Sequence, residues 1–125
     1  MKVPASGQGR LYNPKGEKQM ATIEDFRKIE LVVAQIKEVK EHPNADRLYV
    51  IKVDTGKEER QVVAGIRLSY PKENLIGRRV VLVSNLEPAT IRGEQSQGML
   101  LAASDENGIS VLSPDREVSL GSIVK

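Results

Sequence analysis

Ile29-Glu30-Leu31-Val32-Val33-Ala34-Gln35-Ile36-Lys37-Glu38-Val39 is the stretch on which the fold turns. Ile29, Leu31 and Val33 alternate with Lys28, Glu30 and Val32, the two-residue period of a strand with one face on a core. Ile36 and Val39 follow out of phase, which places a bulge or strong bend between Val33 and Ile36. A long, bent first strand suits a sheet that closes on itself.

Working outward, Thr22 is a good N-cap, and Glu24 and Asp25 suit the first turn of a short helix before the strand. After the strand, His42-Pro43-Asn44-Ala45-Asp46 reads as a turn, because Pro43 pushes His42 out of helix and Asn44 and Asp46 favour Asx geometry. Leu48–Val53 is a second strand, with Tyr49, Ile51 and Val53 on one face. Asp54-Thr55-Gly56 signals a hairpin, and Gln61–Ile66 a third strand. Ser69–Gly77 reads as a short helix with Pro71 in its first turn and Gly77 at its stop. Arg79–Ser84 is a fourth strand and Met99–Ala103 a fifth, followed by weaker strands at Ile109–Leu112 and Ser122–Val124. The expectation is an all-β chain: a five-stranded OB-fold barrel with a short helix between strands three and four and extra C-terminal strands. Residues 22–125 form this barrel. Residues 1–21, broken by Pro4, Gly7, Gly9, Pro14 and Gly16, are expected to be a disordered tail, linker or leader.

At 125 residues the chain has room for one domain with a real core. It has no cysteine, which removes disulfides, thiolate metal sites and cysteine nucleophiles and fits a reducing compartment. No apolar run reaches the ~18 residues of a membrane span, and Met1–Gly7 lacks an apolar signal core, so a cytoplasmic location without membrane contact is expected. The net charge of +2 is unevenly placed: residues 27–92 carry 13 basic and nine acidic side chains, and residues 93–125 two and five. Polyanion binding therefore has to come from a local patch in the middle of the chain.

Catalytic groups are scarce. His42 is the only histidine. It reads either as a turn residue among capping neighbours or as a ligand with Asp46, but the intervening Pro43 and Asn44 deny the pair helical metal-ligand spacing. Ser96 has no histidine nearby in sequence, and Gly93–Gly98 is no phosphate loop, since no Gly-Lys-Ser/Thr follows. No cofactor is expected. Asn85-Leu86-Glu87-Pro88-Ala89-Thr90-Ile91-Arg92-Gly93-Glu94-Gln95-Ser96-Gln97-Gly98-Met99 reads as a long polar loop between two apolar strands. It is either a plain connection under the barrel or a binding loop whose amides and Arg92 meet phosphates, sugars or base edges. Phe26, Tyr12, Tyr49 and Tyr70 are the only aromatic residues, too few for a base-stacking platform, so any RNA would be read by backbone and shape.

Three blocks also carry a resemblance: His42-Pro43-Asn44-Ala45-Asp46-Arg47-Leu48-Tyr49-Val50; Val62-Val63-Ala64-Gly65-Ile66; and Val83-Ser84-Asn85-Leu86-Glu87-Pro88 with Arg92-Gly93 and Ser96-Gln97-Gly98-Met99-Leu100-Leu101-Ala102-Ala103. In this order they resemble the tRNA-binding domain at the C-terminus of bacterial methionyl-tRNA synthetases, which also occurs as a free-standing tRNA-binding protein and as a CsaA-like export chaperone. The likeness spans roughly Ile23 to Val124. It implies a non-catalytic OB-fold that binds the tRNA elbow, a homodimer, and partnership with a methionyl-tRNA synthetase catalytic domain or free-standing action. The alternative it implies is a CsaA-like peptide-binding chaperone. Carried over by position, it puts Asn85, Arg92, Ser96, Gln97 and Met99 in or beside the RNA-facing loop, with Arg78 and Arg79 adding positive potential or standing as solvated strand-end charges. The chain departs from the family at Glu87, where lysine is usual, at Val32, where arginine is usual, and at Gln95, where glutamate is usual. The reversal at Glu87 implies weaker phosphate binding.

Overall fold

The computed structural model describes residues 12–125; most of the expected tail, residues 1–11, lies outside the described residues. Tyr12–Lys18 forms a small turn in which the Asn13 side-chain oxygen accepts from the Lys15 and Glu17 N–H groups. Helix α1 (Ile23–Arg27) follows, capped as its sequence predicts: the Thr22 hydroxyl accepts from Asp25 N–H and the Asp25 carboxylate from Thr22 N–H. That backbone N–H is the main reason the Asp25 carboxyl is held below its ordinary value.

Strands β1 (Leu31–Glu41), β2 (Tyr49–Asp54), β3 (Glu59–Ala64), β4 (Arg79–Val83) and β7 (Met99–Leu100) form one antiparallel sheet in the order β3-β2-β1-β4-β7. The outer strands β3 and β7 approach each other, so the sheet makes a nearly closed five-stranded barrel. Between β4 and β7 lie β5 (Ala89–Ile91) and β6 (Glu94–Ser96), paired with each other. After β7 come the hairpin β8 (Ala102–Asp105) and β9 (Gly108–Val111), and then β10 (Ile123–Val124), which pairs with the start of β1.

β1 is long because it serves two neighbours. Leu31–Gln35 pairs with β4, and Gln35–Glu41 with β2. The bulge lies one step beyond its expected place, with the register against β2 shifting between Ile36 and Glu38. The physical reason is that Leu31–Ala34 is buried on both faces, which hides the alternation. Val32, Ala34 and Ile36 face the barrel core, whereas Leu31 packs with Val81, Val83, Leu101 and Val124 outside it. The inward face resumes at Val39 once the bulge has absorbed the extra residue.

Tyr49, Ile51 and Val53 enter the core as their alternation predicts, beside Val62, Val80 and Leu82. The expected helix at Ser69–Gly77 is shorter, a single 3-10 turn at Lys72–Asn74 that drops Leu75, fully buried, into the core. Gly77 then ends the turn at φ +88°. The expected fifth strand is broken at Leu101. Its N–H still reaches β4, at the Val81 carbonyl, but its own carbonyl accepts from Leu112, and the chain leaves the barrel for the β8–β9 hairpin.

Candidate nucleic-acid interface

The segment expected to be a loop from Asn85 to Met99 is anchored at both ends and folds in the middle. At its start, the Asn85 side chain accepts from Glu30 N–H and donates to the Lys28 carbonyl, both at 2.7 Å, and so ties the exit of β4 to the entry of β1. Ala89–Ile91 and Glu94–Ser96 then pair around the two-residue turn Arg92-Gly93. Both turn residues have positive φ, 53° and 92°, as a type I′ hairpin requires. The strands escaped sequence reading because they are three residues each and bury only Ser96, leaving no hydrophobic alternation to see.

Buried Ser96 fixes the returning arm. Its hydroxyl accepts from Val63 N–H (2.9 Å) and donates to the Gly98 carbonyl (3.0 Å). Gln61 and Gln97 extend the seam: Gln97 N–H donates to the Gln61 carbonyl at 2.7 Å, and Gln61 N–H to Gln97 Oε1 at 3.1 Å. The Gln61 side chain also donates to the Gln95 carbonyl at 2.9 Å. The hairpin is thereby stitched to the outer edge of β3. Met99 follows, about half exposed.

The hairpin tip is held by the turn between β1 and β2. His42 is 3% exposed, and its Nδ1 accepts from Asn44 N–H at 2.9 Å. The ring proton is therefore on Nε2, which donates to the Ile91 carbonyl at 3.0 Å. Arg92 Nη2 reaches back to the Asn44 carbonyl at 2.9 Å. Arg67 supports the turn from behind, donating to the Ala45 carbonyl and pairing with Glu41 at 3.4 Å. Asn44–Leu48 and Arg92 together line a cleft of about 430 Å³. His42 thus clamps the turn it begins; among the described residues no group of three His, Cys, Asp or Glu side chains could hold a metal.

Arg78 and Arg79 lie at the other end of β4 from the hairpin. Arg78 donates to the Asn74 carbonyl and stacks over Tyr70, 5.6 Å from the ring centre. Arg79 pairs with Glu117 at 3.5 Å and donates to the Val118 carbonyl. Both border a shallow cleft shared with Asp115 and Glu117. Of the positions where the chain departs from the resembled family, Val32 is core, so its identity bears on packing, while Glu87 and Gln95 are exposed on the hairpin segment. Sequence reasoning gave no role to Arg47 or Gln61. Arg47 lay inside a quoted block, but nothing in one dimension tells that its turn meets the hairpin tip.

Residues 31–123 match the family described as “Putative tRNA binding domain”. The chain belongs to the tRNA-binding domain family. In this family the domain is an accessory, non-catalytic module. The methionine–tRNA ligase of Pyrococcus horikoshii is 51% identical over 118 residues, covering 93% of this chain and 16% of the ligase. That of Pyrococcus furiosus is 52% identical over 113 residues, 89% of this chain and 16% of the ligase. The tRNA-binding domain described here thus spans about a sixth of the length of the relatives it matches. Among solved structures, a methionyl-tRNA-synthetase-related protein from Pyrococcus horikoshii superposes with a TM-score of 0.80 at 32% identity, covering 86% of this chain and 99% of that one. The chaperone CsaA from Bacillus anthracis superposes with a TM-score of 0.77 at 27% identity, covering 86% of this chain and all of CsaA. Among the described residues, no helix is long and apolar enough to cross a membrane.

Proposed function

We propose that this domain holds tRNA on the edge built from the β5–β6 hairpin tip and the His42–Leu48 turn, reading its bent shape and backbone. The observation that carries this is Arg92. It is the one non-glycine residue with positive φ among the described residues, and it sits at an exposed tip. A side chain held there at a conformational cost points to a use for its charge. The barrel offers that edge no base-stacking surface. Tyr49 is buried with its hydroxyl on the Tyr70 carbonyl, and Tyr70 is half-buried with its hydroxyl taken by Val111 N–H. Recognition is therefore of phosphate and sugar. Asn85, Ser96 and Gln97 act by fixing the hairpin, and Met99 borders it. Arg78 and Arg79 supply positive potential at a distance. Total tRNA is expected to shift the domain in a gel at low salt, and Arg92→Ala to weaken binding by ~1–3 kcal/mol. Unchanged affinity in that variant would remove the assignment.

By the same reading, the domain works in the cytoplasm beside a methionyl-tRNA synthetase catalytic domain, in the same chain or separate from it, and raises the local tRNA concentration by tethering. It does so as a homodimer. α1 buries none of its residues, and Met20, Ile23, Phe26, Ile29 and Ile123 are large apolar side chains left exposed on α1, on the segments either side of it and on β10. Light scattering is expected to give twice the chain mass, and Phe26→Glu with Ile123→Glu to give one; a wild-type monomer contradicts this.

A second reading has its own observation. Val63, Ile66, Met99, Leu100 and Ile109 line a largely apolar cleft of about 350 Å³ beside the β3–β7 seam, which suits an extended peptide as in a CsaA-like chaperone. Displacement of bound tRNA by unfolded polypeptide would favour that reading.

A further inference from the structure

We propose that Arg47 and Arg92, brought to one cleft from two separate loops, grip a single backbone phosphate of the bound RNA. The inference rests on the tRNA-binding reading above and adds a partner residue, a ligand group and a stoichiometry to it.

Arg92 and Arg47 both line the cleft between the turn and the hairpin tip. Arg92 uses one terminal nitrogen on the Asn44 carbonyl, which leaves Nε and Nη1 for a ligand. Arg47 is exposed and makes no ion pair with any described residue. Its backbone is fixed all the same: its carbonyl accepts from Arg67 N–H, and Leu48 N–H bonds back to Ala45. Two arginines lining one cleft from two loops, both held at the backbone, suit the tetrahedral oxygens of a phosphate diester. Asp46 lines the same cleft, which therefore carries two positive charges and one negative.

The strain at Arg92 gives the proposal a distinctive sign. The first residue of a type I′ turn is best filled by asparagine, aspartate or glycine. Arg92→Asn should relax the backbone, so its melting temperature should hold or rise by about a degree or two. Its affinity for RNA should nevertheless fall. A residue kept only for the turn would show no such opposition.

The test is fluorescence anisotropy of the full chain with labelled total tRNA at about 0.1 M salt, together with a salt series. Arg47→Ala and Arg92→Asn are each expected to weaken binding roughly five- to tenfold, about one phosphate contact, and to flatten the log–log salt slope by about one. The double variant should lose clearly less than the product of the two factors, because both arginines serve one phosphate. Asp46→Asn should tighten binding by a few-fold as the opposing charge is removed. Multiplicative losses would mean two separate phosphates and overturn the shared grip. Normal affinity in Arg47→Ala beside weakened Arg92→Asn would overturn the role of Arg47 and leave the tRNA-binding reading intact. A wild-type chain that binds no tRNA would overturn that reading and the proposal with it.

Discussion

Gly98→Ala is expected to cost about 3–5 kcal/mol of folding stability, the sum of a strained backbone and an overfilled core. Gly98 has φ +146°, a conformation that L side chains rarely adopt. A Cβ built on it would lie 2.9 Å from Leu82 Cδ1 and 2.9 Å from the Val83 carbonyl oxygen. Neither neighbour can yield. Leu82 is fully buried in the barrel, and Val83 is paired with Met99 in the β4–β7 ladder. The displacement would reach the hairpin as well, since the Gly98 carbonyl accepts the Ser96 hydroxyl that ties β6 to β3. Urea denaturation should show the midpoint falling with little change in slope. A loss below about 1 kcal/mol would mean that the close approach at Gly98 is not a feature of the folded protein.

His42→Leu should be the next most damaging change, costing about 2–4 kcal/mol. Leucine fills a similar space but leaves Asn44 N–H and the Ile91 carbonyl without their partner. Both bonds are partly buried, so water replaces the lost partner only in part and each orphaned group carries some of its desolvation cost. His42→Gln keeps a donor and an acceptor on one side chain and should recover part of the loss. The damage should be local before it is global: amide exchange should accelerate at Asn44 and through the hairpin at lower denaturant than in β1 and β2. Uniform acceleration across the barrel would argue against His42 as a clamp between turn and hairpin.

Particular residues show what one dimension could and could not convey. Gly98 and Ser96 stand in the block that carries the family resemblance, yet their bonds and contacts are structural, holding the hairpin arm to the barrel. The barrel itself was legible because β2 and β4 bury large β-branched residues, and Gly56 and Gly77 stop their segments where positive φ is needed. β1 was legible as a strand but not in its phase, since burial on both faces erased the alternation. The β5–β6 hairpin was invisible for the opposite reason: its strands are three residues each, bury only Ser96, and are turned by an arginine where glycine or asparagine would have signalled it. The cleft between Arg47 and Arg92 needs two loops 45 residues apart to meet, which a local pattern does not encode.

The edge claimed for tRNA can be read residue by residue in a titration of isotope-labelled protein with unlabelled tRNA, followed by backbone amide chemical shifts. Shifts and broadening concentrated at 42–48 and 89–97, with α1 and the segment around Asp115–Glu117 unmoved, are the predicted result. Perturbations centred on Arg78, Arg79 and 113–118, with the hairpin tip silent, would contradict the account at its root.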